Sequence, residues 1–285
     1  MPLGKSQLAD IVPLLEDVMP SRNGFIVMLK TYLDLGTKRD QNDGIMTVAS
    51  VIFKPTKYKQ FIRPWNRLLA GWNASAFHAT DFYPGAQEFK RDTQARKDLF
   101  AEDSQRIPAM IGRHVQRILL ISFRPEEFDR VASPQWKEKF GTSVHCHAVQ
   151  LCLLSNGYWR QEHCRLEKFA YFMESGDADE GEVVKTVERM RHDNGSPTAK
   201  VISVSSFTSV EKGTARGLEA ADFVAWHWNK HYMDKIRDGK GDEPRKDFAA
   251  FVQISENKID QIFATGDKLK FLFSLVPRDV LEASV

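Results

Sequence analysis

Two β-rich stretches, FIVMLKTYLD and GIMTVASVIF, flank the turn-forming run KRDQNDG, and this pairing constrains the fold more than any other feature of the chain. Both are dense in β-branched and aromatic residues, so residues from about 25 to 53 are expected to form an antiparallel pair. A sheet must bury at least one face, and the rest of the sequence alternates helical patterns with further strand-like runs that can cover it. From Pro55 to His114 the spacing is mostly helical, punctuated by Pro64, Pro84 and Pro108 around the irregular AFHATDFYPG. HVQRILLISF then reads as a strand and the region from about Thr142 to Tyr158 as a helix. RLEKFAYFME reads as a strand, DEGEVVKTVERMRHD as a helix with acids in its first turn, and AKVISVSSF as another strand. A helix containing GLEAADFVAWHW follows, then the polar loop DKIRDGKGDEPRKD, a last helix from about Asp247 to Phe263, and the apolar tail LKFLFSLV.

The implied architecture is α/β: a mixed sheet of about five strands flanked by helices, with extra helices in the middle and at the C-terminus. An N-terminal helix is expected over Ser6 to Val18, interrupted by Pro13. With no internal repeat and no long linker, residues 1–285 read as one domain with a C-terminal helical extension. A formal charge of +2 singles out neither nucleic acid nor an anionic membrane as partner. Asp10, Glu16 and Asp17 stand where a secretory leader would be apolar, and no run of about 18 apolar residues is present, so a soluble, cytoplasmic protein without a membrane partner is expected. Three cysteines, none in a CxxC pair, fit a reducing compartment.

Within GLEAADFVAWHW, Asp222 shares its helix face with Leu218, Ala225 and Trp226, and a second carboxylate, Glu219, lies one turn before it. Burying an ionised carboxylate costs several kcal/mol unless it is paired, hydrogen-bonded or bound to a metal. Arg216 or Lys212 could supply the pairing, or the helix face could reach water. Two strands also end in acids, KTYLDLG in Asp34 and AYFMESG in Glu174, and the carboxyl ends of strands are where α/β sheets leave room for ligands. If those strands are neighbours and the helix crosses them, Asp34, Glu174 and Asp222 converge, with Glu219 one turn away. Acids so placed repel, and protons or a divalent cation relieve the repulsion. Oxygen-only ligands favour Mg²⁺ or Mn²⁺, and two such ions about 4 Å apart promote in-line displacement at phosphorus.

Other chemistries fit less well. His145, Cys146, His147, Cys152, His163 and Cys164 have no common zinc-ligand spacing, and their segment has the pattern of an amphipathic helix. Neighbours on a helix diverge by about 100°, so His145 and His147 would not face a Cys146 nucleophile, and no GxSxG elbow is present.

YLDLG, GIMTVASVIF, FHATDF, YFMESG and GLEAADFVAW together resemble the landmarks of the domain-of-unknown-function 3800 family, whose fold is RNase-H-like, over about Tyr32 to Trp228. The resemblance implies that Asp34 matches the family's first acid, Glu174 its strand-end acid and Asp222 the Asp of the closing motif, with His78 matching the family histidine and Asp81 standing where its Glu would be. Departures are Leu35 before Gly36 in place of Glu-Ser, Glu174 for Asp, and Glu219 for Gln.

Two functions follow as expectations. One is a divalent-metal-dependent nuclease or phosphodiesterase, with Asp34, Glu174, Asp222 and Glu219 as metal ligands, His78 passing protons, and Lys212 and Arg216 either facing phosphate or merely solvated. The other is a non-catalytic module of the same fold that binds nucleic acid or a protein, for which Trp65, Trp72, Trp136 and Trp159 are stacking candidates if they are not core.

Overall fold

The expected hairpin sits at the centre of a mixed six-stranded sheet. In the computed structural model the described residues are 19–21, 24–26, 28–36, 45–164, 166–176, 179–192, 197–211, 213–237 and 246–264. The N-terminal helix expected over Ser6 to Val18 and the LKFLFSLV tail lie outside them. A small antiparallel pair, β1 (Met19–Ser21) and β2 (Gly24–Ile26), precedes β3 (Met28–Gly36), which pairs antiparallel with β4 (Met46–Phe53) in the register Asp34 to Ala49.

Between β4 and the next strand lie α1 (Pro55–Trp72), the short α2 (Ala79–Phe82) and α3 (Gln94–His114). Pro55 at the first position and Asn73 in the left-handed region (φ 56°) bound α1, and the Thr93 hydroxyl caps α3 through the Arg96 amide. Pro64 and Pro108 do not break these helices as their sequence suggests; each lies inside a continuous one. The flanking core anchors explain this: Phe61 and Trp65 around Pro64, and Ile107 and Ile111 around Pro108, are wholly buried, so tertiary packing holds both turns despite the lost hydrogen bond.

The chain continues through β5 (Arg117–Phe123), α4 (Pro125–Val131), α5 (Pro134–Phe140), α6 (Val144–His163), β6 (Lys168–Glu174), α7 (Glu180–His192), α8 (Pro197–Ile202), β7 (Val204–Val210), α9 (Arg216–Arg237), α10 (Lys246–Ser255) and β8 (Ile259–Ala264). The strand order is β7-β6-β3-β4-β5-β8. β4 runs antiparallel to both β3 and β5, while β6, β7 and β8 add in parallel to β3, β6 and β5.

Two expectations need correction. Residues 199–202 of the supposed strand AKVISVSSF belong to α8, because Ser203 adopts a positive φ (48°) that separates a buried Ile202 from the strand proper. The last helix stops at Ser255, and IDQIFA becomes a sixth strand: β5 offers an edge whose backbone groups pair with an apolar run of ambiguous period.

Side-chain alternation divides the core in two. Tyr32, Ala49, Val51, Phe53, Ile118 and Phe172 face α1, α3, α9 and α10, and Leu33, Val48, Ile52, Leu119, Tyr171 and Met173 face α4 to α8. Among the described residues no helix is long and apolar enough to cross a membrane.

Candidate carboxylate site

Parallel pairing of β3 with β6 puts Leu33 opposite Met173, so Asp34 and Glu174, one residue further on each, stand on neighbouring strands; Glu174 ends β6, whereas β3 runs two residues past Asp34 to Gly36. Alternation places Asp34 on the face of Tyr32 and Glu174 on the face of Phe172, the face of the sheet on which α9 packs. Asp34 is buried and Glu174 half-buried. α9 starts with Gly217 against the Tyr32 ring and reaches Ser122 of β5, whose hydroxyl accepts from the Trp228 indole at 3.2 Å and lies 3.0 Å from the Thr47 hydroxyl. Asp222 lies midway along that diagonal and is buried. The two acid-bearing strands are neighbours as expected, but the helix runs from β3 across β4 toward β5, away from β6.

Asp222 and Glu219 find different partners. Three side chains at three-residue intervals along α9 meet alternate residues of the segment Ser75–Ala79. Arg216 donates to the Ser75 carbonyl (3.0 Å), Glu219 accepts from the Phe77 amide, and Asp222 Oδ2 accepts from the Ala79 amide (2.8 Å). Glu219 is wholly inaccessible; it accepts from the Trp65 indole (2.5 Å) and pairs with Arg216 (2.5 Å), which also donates to Asn66 (2.9 Å). Burial pushes the Glu219 carboxyl up, and the adjacent guanidinium works against that shift. The carboxylate of Glu219 is thus held by a cation, an indole and an amide, whereas Asp222 binds the first amide of α2.

His78 is brought to Asp222 by this segment. It precedes Ala79 at the start of α2, half-buried between the wholly buried Phe77 and Ala79. Asp81 lies in the same short helix, half-buried. Lys212 lies outside the described residues.

Of the stacking candidates, Trp65, Trp72 and Trp136 are core residues, with Trp72 donating to buried Asp103 at 2.9 Å, and Trp159 stacks on His163. A different aromatic pair borders the carboxylates. Tyr83, which closes α2, stacks on Trp226 at 4.5 Å and 7°, and Trp226 lies one turn along α9 from Asp222. Read as sequence, Trp226 is merely another apolar residue of the stripe; its four-residue spacing from Asp222 is the signal that could have drawn it into the site.

The His/Cys segment is structural. His147 Nε2 meets the Gly141 carbonyl at 2.9 Å and its Nδ1 the Trp136 indole at 3.4 Å, an arrangement that suits the neutral ring, and burial pushes its pKa down to about 4. All three cysteines are buried free thiols.

Asp34, Glu174 and Asp222 offer the hard oxygen donors that Mg²⁺ or Mn²⁺ prefer. Among the described residues, however, no three His, Cys, Asp or Glu side chains come together as a ligand set, and one Asp222 oxygen is engaged by Ala79. The residues as they stand do not fit a complete metal centre, and no chemical step is routed through an ion. The chain matches no family model, no curated protein and no solved structure.

Proposed function

We propose that the face bearing Asp34, Glu174 and Asp222 is the working site of an RNase-H-like nuclease or phosphodiesterase. The observation that carries this reading is the burial of two carboxylates, Asp34 toward the carboxyl end of β3 and Asp222 on α9, on the side of the sheet that α9 covers. Buried acids are costly to keep unless paired, hydrogen-bonded or bound to an ion, and acids held in this way recur at functional sites. The sheet order supports the fold part of the reading: β3, β4 and β5 lie side by side as an antiparallel meander, and β6 and β7 add in parallel beyond β3. Helical segments separate β4 from β5 in sequence but not in the sheet.

In this reading His78 passes a proton at the reacting oxygen, held there by the Ala79–Asp222 hydrogen bond, while Asp34 and Glu174 supply negative charge at the strand ends. A divalent ion drawn among the three acids is the further part of the proposal. Three buried thiols support a reducing, cytoplasmic setting. The alternative, a non-catalytic module that binds nucleic acid or a protein, requires no ligand set, and no three His, Cys, Asp or Glu side chains group as one among the described residues.

Calorimetry with Mn²⁺ and Mg²⁺ on the wild type, Asp34→Asn and Asp222→Asn separates the two. Uptake by the wild type that both variants lose, together with metal-dependent cleavage of a phosphodiester, supports the enzyme. A wild type that takes up neither ion sinks the metal part and favours the binding module.

A further inference from the structure

We propose that Tyr83, Trp226 and Lys230 form a ledge that takes a base of a single-stranded nucleic acid, whose backbone then passes the carboxylates one turn away on α9. The inference deepens the reading above and rests on it for the chemistry, while its binding surface stands on separate observations. Tyr83 and Trp226 lie almost parallel, 4.5 Å apart; both residues are half-buried, with the Tyr83 hydroxyl turned inward, so Trp226 offers the outer face. The exposed Lys230 places its ammonium 4.9 Å from the centre of the Trp226 ring. Arg91 donates to the Tyr83 backbone carbonyl at 2.6 Å and lies 4.0 Å over the neighbouring Phe100 ring. Flat aromatic surface flanked by cations is the combination that holds single strands, because every base has a π-face and every nucleotide a phosphate.

The ledge is built into the same substructure as the acids. Asp222 holds the first amide of α2, Tyr83 closes that helix, and Trp226 follows Asp222 by four residues, a rise of about 6 Å along α9. A base stacked on the ledge, taking the place of the Lys230 side chain, leaves that ammonium for a phosphate and brings the neighbouring phosphodiester toward Asp222 and His78. Bases inside a duplex have no free face to offer, so the ledge selects unpaired strands. A protein partner is the poorer fit, since two half-buried aromatic residues and one lysine make a patch far smaller than a stable protein interface needs.

The test is fluorescence anisotropy with labelled fifteen-nucleotide oligo(dT), oligo(U) and a DNA duplex, in chelator so that metal plays no part. Wild type is expected to bind one or both single strands well above the duplex, and the comparison of dT with U shows which sugar is preferred. Trp226→Leu should weaken single-strand binding about tenfold. Lys230→Gln should weaken it about two- to threefold and lower the salt slope by about one. Lys230→Glu, at an exposed position, should weaken it further while its urea midpoint stays close to that of Lys230→Gln. Equal binding by wild type, Trp226→Leu and Lys230→Glu, equal binding of duplex and single strand, or no binding of either would overturn the ledge. Asp222→Asn is expected to bind the oligonucleotide normally in chelator, so a failed metal titration and a failed oligonucleotide titration point to different errors.

Discussion

A methyl group added at Gly217 tests whether α9 is seated where the carboxylate site requires. A Cβ there would fall inside the van der Waals envelope of the Tyr32 ring, at Cγ, Cδ2 and Cε2, so the clash is with the body of the ring. Tyr32 has no room to yield: it is 1% exposed and stacked between Tyr58 at 5.3 Å and Phe172 at 5.1 Å. Overpacking of a filled core costs about 1–3 kcal/mol. Against that, alanine gains up to about 1 kcal/mol over glycine in a helix. Gly181 supplies the matched control, because it too is the second residue of a helix, α7, yet a Cβ on it meets nothing within 4 Å. The propensity gain is common to both, so the difference between Gly217→Ala and Gly181→Ala reads the contact itself, about 1–3 kcal/mol. Urea denaturation measures it: Gly181→Ala should be neutral or slightly stabilised, Gly217→Ala destabilised, with similar m-values. A Gly217→Ala protein as stable as Gly181→Ala would mean that α9 does not lie on β3 at this point, and the placement of Asp222 over the sheet face that bears Asp34 would lose its basis.

Other expectations follow from the same geometry. His147 should make stability depend on pH: its folded pKa lies below its ordinary value, so its contribution is present above pH 6.5 and is lost as pH falls toward about 4. At about 1.4 kcal/mol per pH unit over that window the loss approaches roughly 3 kcal/mol, and chemical denaturation at several pH values should show His147→Gln with a flatter acid limb than wild type. Glu219→Leu strands Arg216 and the Trp65 N–H and should cost about 3–5 kcal/mol, most of which Arg216→Met in the same chain restores; equal stability of the single and double variants would refute the pairing. Asp222→Asn keeps an acceptor for the Ala79 amide, whereas Asp222→Ala leaves that amide unmatched at a cost of about 1–3 kcal/mol, so thermal melts should rank wild type and Asn well above Ala.

The interleaving of strands and helices was legible because β-branched runs and 3.6-residue stripes are local signals, and β3 to β7 and α9 all lie near where those signals put them. Errors fell where tertiary contacts outweighed the local pattern. Pro64 and Pro108 are helix breakers only in isolation, and the buried aromatic and aliphatic side chains beside them hold the helix through the fault. IDQIFA has no strong period of its own and takes the conformation of the edge it meets, which cannot be known before β5 is placed.

Glu219 and Asp222 raise the same question in the sequence and receive different answers in the fold. Desolvation requires that each buried acid have a partner, but it does not specify whether that partner is a cation, an amide or a metal. Glu219 meets Arg216 three residues before it, a pairing that lies within reach of local reasoning. Asp222 meets the Ala79 amide, 143 residues away in the chain, and only the path of the 75–79 segment across α9 reveals it. That path gives Asp222 a structural task of its own, so loss of function in an Asp222→Ala variant could report a misplaced His78 as readily as a missing ligand. The isosteric Asn, which keeps the amide bond and removes the charge, separates the two roles, and any assignment of chemistry to this carboxylate rests on it.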